Sequence, residues 1–387
     1  MNKEGNIRHG HGLAAIGFAF IVFAMLFWGW PHLLVVREQS QLFLWNADYL
    51  IERLVIPGGL AQYVAEFLVQ FFYYPALGAV ICSMLCLSVQ ALSYRLLDRR
   101  LWAWSFVPAV IVAILTIQLY VPLTLTVAIL MSLGLLVLLP CSPVARLWAL
   151  GIFLVVGYWL VGPAVALLLL GCSRRWIAVP VLLLAGCIYG SSLLAPYPLR
   201  QVVRGIDYYW ETHHLGTNEE MACDYLVRQH NWKEIVRRFA DSKSSAIHNA
   251  VLVAQFQNRT ISEKELLHQI HLSKGTLQSQ SSAFLMSELY MQMGMAQMAQ
   301  RAAFEAMEAV PNYSKSGRAL RRLVETNLVT GYPDVALKYI GILEETTVYR
   351  DFASQMRSLA IHPELLQEHP YYGPLHKIFT ESHDTFF

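Results

Sequence analysis

The sequence predicts an all-α protein of two parts, an N-terminal polytopic transmembrane helical domain followed by a C-terminal α-solenoid of helix pairs. Three observations predict it. No charged side chain occurs between Arg100 and Arg146, a run that suits a chain threaded through a bilayer. Of the 56 Lys, Arg, Asp and Glu, 40 lie from Pro196 onward, so an apolar half meets an aqueous half near that point. Within the second half, Met286, Gly294 and Ala299 recur as Leu323, Gly331 and Ala336, a constant offset of 37 residues.

A chain of 387 residues with 56% hydrophobic and 14% charged side chains is too apolar for an ordinary soluble enzyme. From Pro196 onward 19 Lys and Arg face 21 Asp and Glu, which leaves no basic stripe, and nucleic acid is not an expected partner. Cys82, Cys86, Cys141, Cys172 and Cys187 fall in or beside apolar segments and Cys223 stands alone in the tail, so no disulfide framework is legible.

The transmembrane domain is placed at 1–195. Its first span, 13–31, has Trp28 and Trp30 at one rim, and the apolar run continues past Pro31, which favours a retained anchor over a cleaved signal. The second, 74–94, stops at Arg95, Asp98, Arg99 and Arg100, a cluster that belongs in the cytoplasm with Lys3 and Arg8. Spans 104–118 and 123–139 form a tight hairpin with Pro122 at the turn. The tract 147–172 contains Gly162 and Pro163, which read either as a kink in one span or as a turn between two. Length favours one, because the second piece, as an α-helix of about ten residues, reaches only about 15 Å. A last span at 176–194 gives six, with seven as the alternative. Counting Lys and Arg near the ends does not choose, since Arg174/Arg175 and Arg200/Arg204 only trade sides. Helix length alone leans the tail toward the cytoplasm.

The stretch 37–73 is the long polar insertion of this half. After Pro57-Gly58-Gly59 it reads as an interfacial helix at 58–73, with Gln62, Glu66 and Gln70 four apart. Those three form either the wet face of an amphipathic helix or, through Glu66, a functional ionisable group. Asp48 and Glu52 lie one helical turn apart beside Arg53, which suits a solvated ion pair or a catalytic pair. The layout is similar to membrane glycosyltransferases that use lipid-linked sugars, with acidic residues in the first external loop, and Asp48, Glu52 and Glu66 are the catalytic candidates if the protein is an enzyme. His268 and His271, without a third ligand at readable spacing, read as surface histidines; no metal site and no cofactor are expected. Soluble-enzyme motifs are absent.

A juxtamembrane linker at 196–218 precedes a repeat domain at 219–387. Its best unit resembles a tetratricopeptide repeat: Met286 and Tyr290 on a first helix, Gly294 at the turn, Ala299 and Ala306 on a second, Pro311 at the close. The next unit departs from it, with Asn327, Leu343 and Val348 in place of the tyrosine, second alanine and proline. Its spacing exceeds the ~34 residues of that family, which implies a longer connection at 312–316. Upstream, 219–229 with 232–239 and 245–257 with 262–271 read as two further pairs, and Ser262 with Glu265 supplies a capping box. Arrays of this kind bind proteins along one surface, and Tyr290, Arg301 and Arg318 are the expected binding residues; packing of the array on the membrane domain is the structural alternative.

The whole chain resembles an uncharacterised family of bacterial multi-pass membrane proteins. The residues that carry the likeness are Gln41-Leu42-Phe43, Asp48-Tyr49, Pro57-Gly58-Gly59, Gln70-Phe71-Phe72, Gly205-Ile206-Asp207-Tyr208-Tyr209 and Met298-Ala299-Gln300-Arg301 through to Arg318. The resemblance implies a bacterial inner membrane and supplies no catalytic residues. Members continue with further helical units, whereas this chain closes on Phe386-Phe387 without a polar cap, which leaves a truncated member as one reading. The expected function is an integral membrane scaffold or assembly protein, in contact with the lipid bilayer, whose tail binds a protein partner. The alternative is a membrane enzyme acting on a lipid-linked substrate through the loop carboxylates.

Overall fold

The structure is a computed structural model that describes residues 2–97, 99–211, 214–271, 277, 279–311 and 314–382. Asp98, Asn312, Tyr313, Phe386 and Phe387 lie outside the described residues, as do the side chains of Lys3, Arg8, Arg99 and Arg100. Among the described residues every regular element is helical. The chain divides into two compact units, the first Met1–Arg37 with Asn46–Trp210, the second Glu38–Trp45 with Glu211–Phe387. The second unit therefore begins inside the sequence of the first. The stretch read as a linker at 196–218 divides as well, its part up to Trp210 folding with the first unit.

The first unit contains α1 (Asn2–Ala24), α2 (Pro31–Gln39, which ends in the second unit), α3 (Ala47–Leu54), α4 (Gly59–Val69), α5 (Pro75–Leu96), α6 (Phe106–Ile117), α7 (Leu123–Val137), α8 (Pro143–Val161), α9 (Ala178–Leu194) and α10 (Leu199–Arg204). Prolines open α5 and α8, where a missing N–H costs nothing. Three helices are long and apolar enough to cross a membrane: Gly10–Gly29, Pro75–Leu96 and Pro143–Val161. Leu101–Ile117, Leu123–Val137 and Ala178–Leu194 are apolar but shorter. Small side chains such as Ala61, Ala65, Ala79, Ala109 and Ala128 are fully enclosed, so the helix axes approach closely. Large ones such as Leu13, Phe20, Trp148, Ile152 and Leu182 point outward. Leu26, Phe72, Leu150, Leu154 and Leu168 are buried among them, so large apolar side chains lie both inside and outside this unit.

The tract 147–172 is not one helix. Gly162 adopts φ +93°, α8 stops at Val161, and Pro163–Gly171 continues as a 3-10 helix. A side chain is strained at that φ, and a Cβ there would sit 2.9 Å from the Tyr208 hydroxyl oxygen. That hydroxyl donates to Val161 O at 2.5 Å and accepts from Ala164 N–H at 3.4 Å, so the groups freed by the break are paired.

The second unit contains α11 (Asn218–Arg228), α12 (Trp232–Phe239), α13 (Ser245–Gln257), α14 (Glu263–Gln269), α15 (Gln280–Gln292), α16 (Ala296–Glu308), α17 (Gly317–Val329), α18 (Pro333–Glu344), α19 (Arg350–Ile361), α20 (Pro363–Glu368) and α21 (Tyr372–Ser382). Thr217, Ser262 and Ser279 cap α11, α14 and α15 through reciprocal capping boxes. Helices α13, α15 and α17 are buried nearly all round, whereas α16 and α18 bury one side through Ala299, Ala303, Ala306, Ala336, Ile340 and Leu343. The unit thus has an enclosed row of helices and an outer row.

Candidate functional site

Two places carry the residues singled out by sequence, one in each unit. In the first, Gly59 decides the local geometry. A Cβ on Gly59 would lie 1.7 Å from the Arg53 carbonyl oxygen, so only glycine lets α3 fold back on α4. That return brings Tyr49 and Arg53 to Glu66. The Tyr49 hydroxyl donates to Glu66 Oε2 at 2.6 Å, Arg53 Nε donates to the same oxygen at 2.8 Å, and Gln62 Nε2 donates to Oε1 at 2.9 Å. Burial and the Glu66 carboxylate push the Tyr49 phenol well above its ordinary range, so it remains a donor. Both Glu66 oxygens are engaged, and the group is a clamp between two helices.

Gln62, Glu66 and Gln70 are all buried, so the stripe is not the wet face of an interfacial helix. A period of four is the same whether the polar row meets water or a neighbouring helix. Asp48 and Glu52 are exposed on α3. Glu66 is thus enclosed in the clamp, whereas Asp48 and Glu52 face outward one helical turn apart.

In the second unit the expected binding residues part company. Tyr290 is 1% exposed inside α15 and belongs to the core. Arg301 is exposed on α16, where its Nε meets Glu305 Oε1 at 3.0 Å. Arg318 is buried and pairs bidentately with Asp224, Nη1 to Oδ2 at 2.6 Å and Nη2 to Oδ1 at 2.7 Å. The expectation that these three share an exposed surface is therefore corrected. Tyr290 and Arg318 sit on the enclosed row and Arg301 on the outer one.

The enclosed row is lined by a connected set of charges. Arg322 bonds Glu288 at 2.7 Å and Glu325 at 2.9 Å, and the Tyr372 hydroxyl donates to Glu325 at 3.1 Å. Burial works to raise the Glu288 carboxyl, but Arg322, Arg318 and Arg228 outweigh it and hold it down at about 2.

Against this row lies a segment from far away in sequence, Glu38–Trp45. The Tyr349 hydroxyl donates to Glu38 Oε1 at 2.7 Å, Arg318 Nη1 to Gln39 Oε1 at 3.3 Å, and Ser40 Oγ to Gln280 Oε1 at 3.2 Å. At its far end Trp45 N–H donates to Glu345 O at 2.8 Å and Trp45 Nε1 to Thr347 Oγ1 at 2.6 Å. Gln280 opens α15, Arg318 lies in the first turn of α17 and Tyr349 precedes α19, so the segment runs past the N-terminal ends of three helices. Leu42 and Phe43 are buried. We refer to Glu38–Trp45 as the strap. Burial pushes the Glu38 carboxyl up to about 7, against the Tyr349 hydrogen bond and the nearby Arg228 and Arg318.

Sequence reasoning missed the strap, Asp224, Glu288 and Arg322. The local signal was Arg318, Arg321 and Arg322 within two turns of one helix, with Glu325 one turn further on. Among the described residues no three His, Cys, Asp or Glu are placed to hold a metal ion, and the His268 and His271 side chains are exposed.

Residues 7–387 match the family of unknown function DUF6057, and the chain belongs to that family. No curated protein and no solved structure matches it.

Proposed function

We propose that this member of a family of unknown function is a multi-pass protein of the bacterial inner membrane, with its N-terminus cytoplasmic, whose tail of tetratricopeptide-like helix pairs acts as a scaffold for a protein partner. One observation carries the reading. The tail holds an eight-residue stretch of its own chain, the last turn of α2 and the non-helical run after it, at the N-terminal ends of α15, α17 and α19, with side-chain hydrogen bonds at Glu38–Ser40 and backbone and side-chain bonds at Trp45. Helix arrays of this kind bind their partners along one continuous surface, and the strap is a piece of chain held in that way. Because the strap already occupies the N-terminal ends of α15 and α17, we assign the partner surface to the outer row, where Arg301, Phe304 and Lys338 are exposed.

A photo-reactive amino acid placed singly at Arg301, Phe304 and Lys338 tests this in living cells. A discrete, reproducible adduct with a second protein at one or more of these sites is the expected result. Absence of adducts at all three, in chains that insert and fold, contradicts the scaffold. Loss of function in an Asp48→Asn, Glu52→Gln chain with an intact tail would favour the enzyme acting on a lipid-linked substrate.

A further inference from the structure

The first unit has two ends, and its contacts record which chain segments meet at each. At the end that carries the N-terminus, the His11 ring stacks on Tyr94 with centroids 3.9 Å apart, and Gln90 Nε2 lies 2.7 Å from His11 Nε2 and 2.9 Å from Ser105 Oγ. The start of α1 therefore meets the end of α5 and the start of α6. The end of α7, the start of α8 and the close of the 3-10 segment also meet one another, since a Cβ on Gly171 would come within 2.7 Å of Leu139 and 3.5 Å of Arg146.

At the other end, the Arg37 guanidinium donates to the carbonyls of Thr116, Gln118 and Val121, each at 2.8 Å, so the close of α2 caps the turn from α6 to α7. Gly58 N–H donates to Trp159 O at 2.8 Å, which sets the α3–α4 turn against the end of α8. Thr124 Oγ1 donates to Asp207 Oδ2 at 2.6 Å and Trp210 N–H to Tyr120 O at 2.8 Å. The chain thus leaves this unit for the strap, after Arg37, and for the tail, after Trp210, at the same end.

From these contacts, and resting on the multi-pass reading above, we infer that the tail lies across the membrane from the N-terminus, outside the cytoplasm, after seven crossings of which Pro163–Gly171 is the sixth. The crossings are α1, α5, α6, α7, α8, Pro163–Gly171 and α9, alternating in direction. Parity then follows from the strap: it is reached after one crossing and folds within the tail, so the remaining crossings are even in number.

The objection to a seventh crossing is its length, and the helix type answers part of it. At ~2.0 Å per residue nine residues of 3-10 helix reach ~18 Å, more than the ~14 Å of an α-helix. Its neighbour α7, with 15 residues, reaches only ~22 Å against ~30 Å of hydrocarbon. The two pack along each other, so the bundle is thin at that place and the bilayer adjusts to it. Backbone outside the α-helical pattern is tolerated at membrane depth when protein encloses it, and Val165 and Leu168 in this segment are fully buried. The partner taken by the outer row is accordingly a protein, or a domain of one, exposed outside the cytoplasm.

Cysteine labelling in cells decides the matter. Cys141, exposed between α7 and α8, reports the N-terminal end, and Lys338→Cys, in a chain without other cysteines, reports the tail; Arg301→Cys serves as a second tail site. A maleimide that cannot cross the inner membrane is expected to label both tail sites in intact cells and Cys141 only after the membrane is opened. Tail sites protected together with Cys141 until opening would overturn the inference, as would the reverse pattern. A chain washed from membranes by alkaline carbonate would instead remove the multi-pass reading itself.

Discussion

Glu66 is held by three donors from two other turns of helix, so its charge is structural. Replacing it with glutamine leaves the Arg53 cation without its counter-charge and one amide oxygen for donors that two carboxylate oxygens now serve, and loss of one charge of a largely buried pair costs about 3 kcal/mol. Thermal unfolding of the detergent-solubilised chain is expected to show that loss for Glu66→Gln, with Asp48→Asn and Glu52→Gln within about 0.5 kcal/mol of the parent. Equal stability of all three variants would remove the clamp. Glu38 and Glu288 have opposite pH signs. The folded state holds the Glu38 proton up to about 7, above its ordinary value, so its contribution is complete below ~4.3 and is lost as pH rises through 7. Glu288 sits at about 2, below its ordinary value, so its contribution is present above ~4.3 and is lost as pH falls through 2. Unfolding of the tail followed from pH 4 to 8 is expected to show declining stability, and Glu38→Gln is expected to flatten that slope. An unchanged slope in the variant would exclude Glu38 as its source. The four-residue spacing of Gln62, Glu66 and Gln70 was legible in the sequence, but the side it faces was not. A polar row at helical period is the same pattern on a surface and in a clamp, and the deciding partners, Tyr49 and Arg53, come from another helix beyond the Gly58–Gly59 turn.

The elements divide by whether a local signal marks them. Capping boxes at Thr217 and Ser262, proline at the first turn of α5 and α8, and turns at Gly294 and Gly331 all act through chain neighbours, so the sequence carries them openly. The break at Gly162 is different, because an apolar run without polar residues has no face to count and an α-helix and a 3-10 helix bury it equally well. Only Gly-Pro marks the place, and the Tyr208 hydroxyl that closes the break comes from 44 residues downstream of the N–H it accepts. Gly162→Ala is expected to cost about 1–3 kcal/mol, since it strains the backbone and crowds Tyr208. Gly151→Ala in α8, where a Cβ would meet nothing within 4 Å, is expected to be neutral or slightly stabilising. Paired melting curves of the two variants check this, and equal effects would mean that Gly162 is an ordinary helix position.

At the scale of the whole molecule the chain passes between its two units three times, after Arg37, after Trp45 and after Trp210. The change of composition near Pro196 points to the third passage and is silent on the other two. The strap contacts join residues as far apart as 311 positions, Glu38 to Tyr349, and an eight-residue insertion carries no periodicity that names a partner at such a distance. The proposed arrangement, an apolar bundle in lipid and a strap-filled helix array in water on the far side, makes the strap the one segment whose behaviour depends on both halves being read correctly. Hydrogen–deuterium exchange of the full chain in lipid nanodiscs tests it most directly. Peptides covering Glu38–Trp45 are predicted to exchange as slowly as those of α15 and α17, and exchange of that stretch within seconds, as for a free loop, would contradict the account.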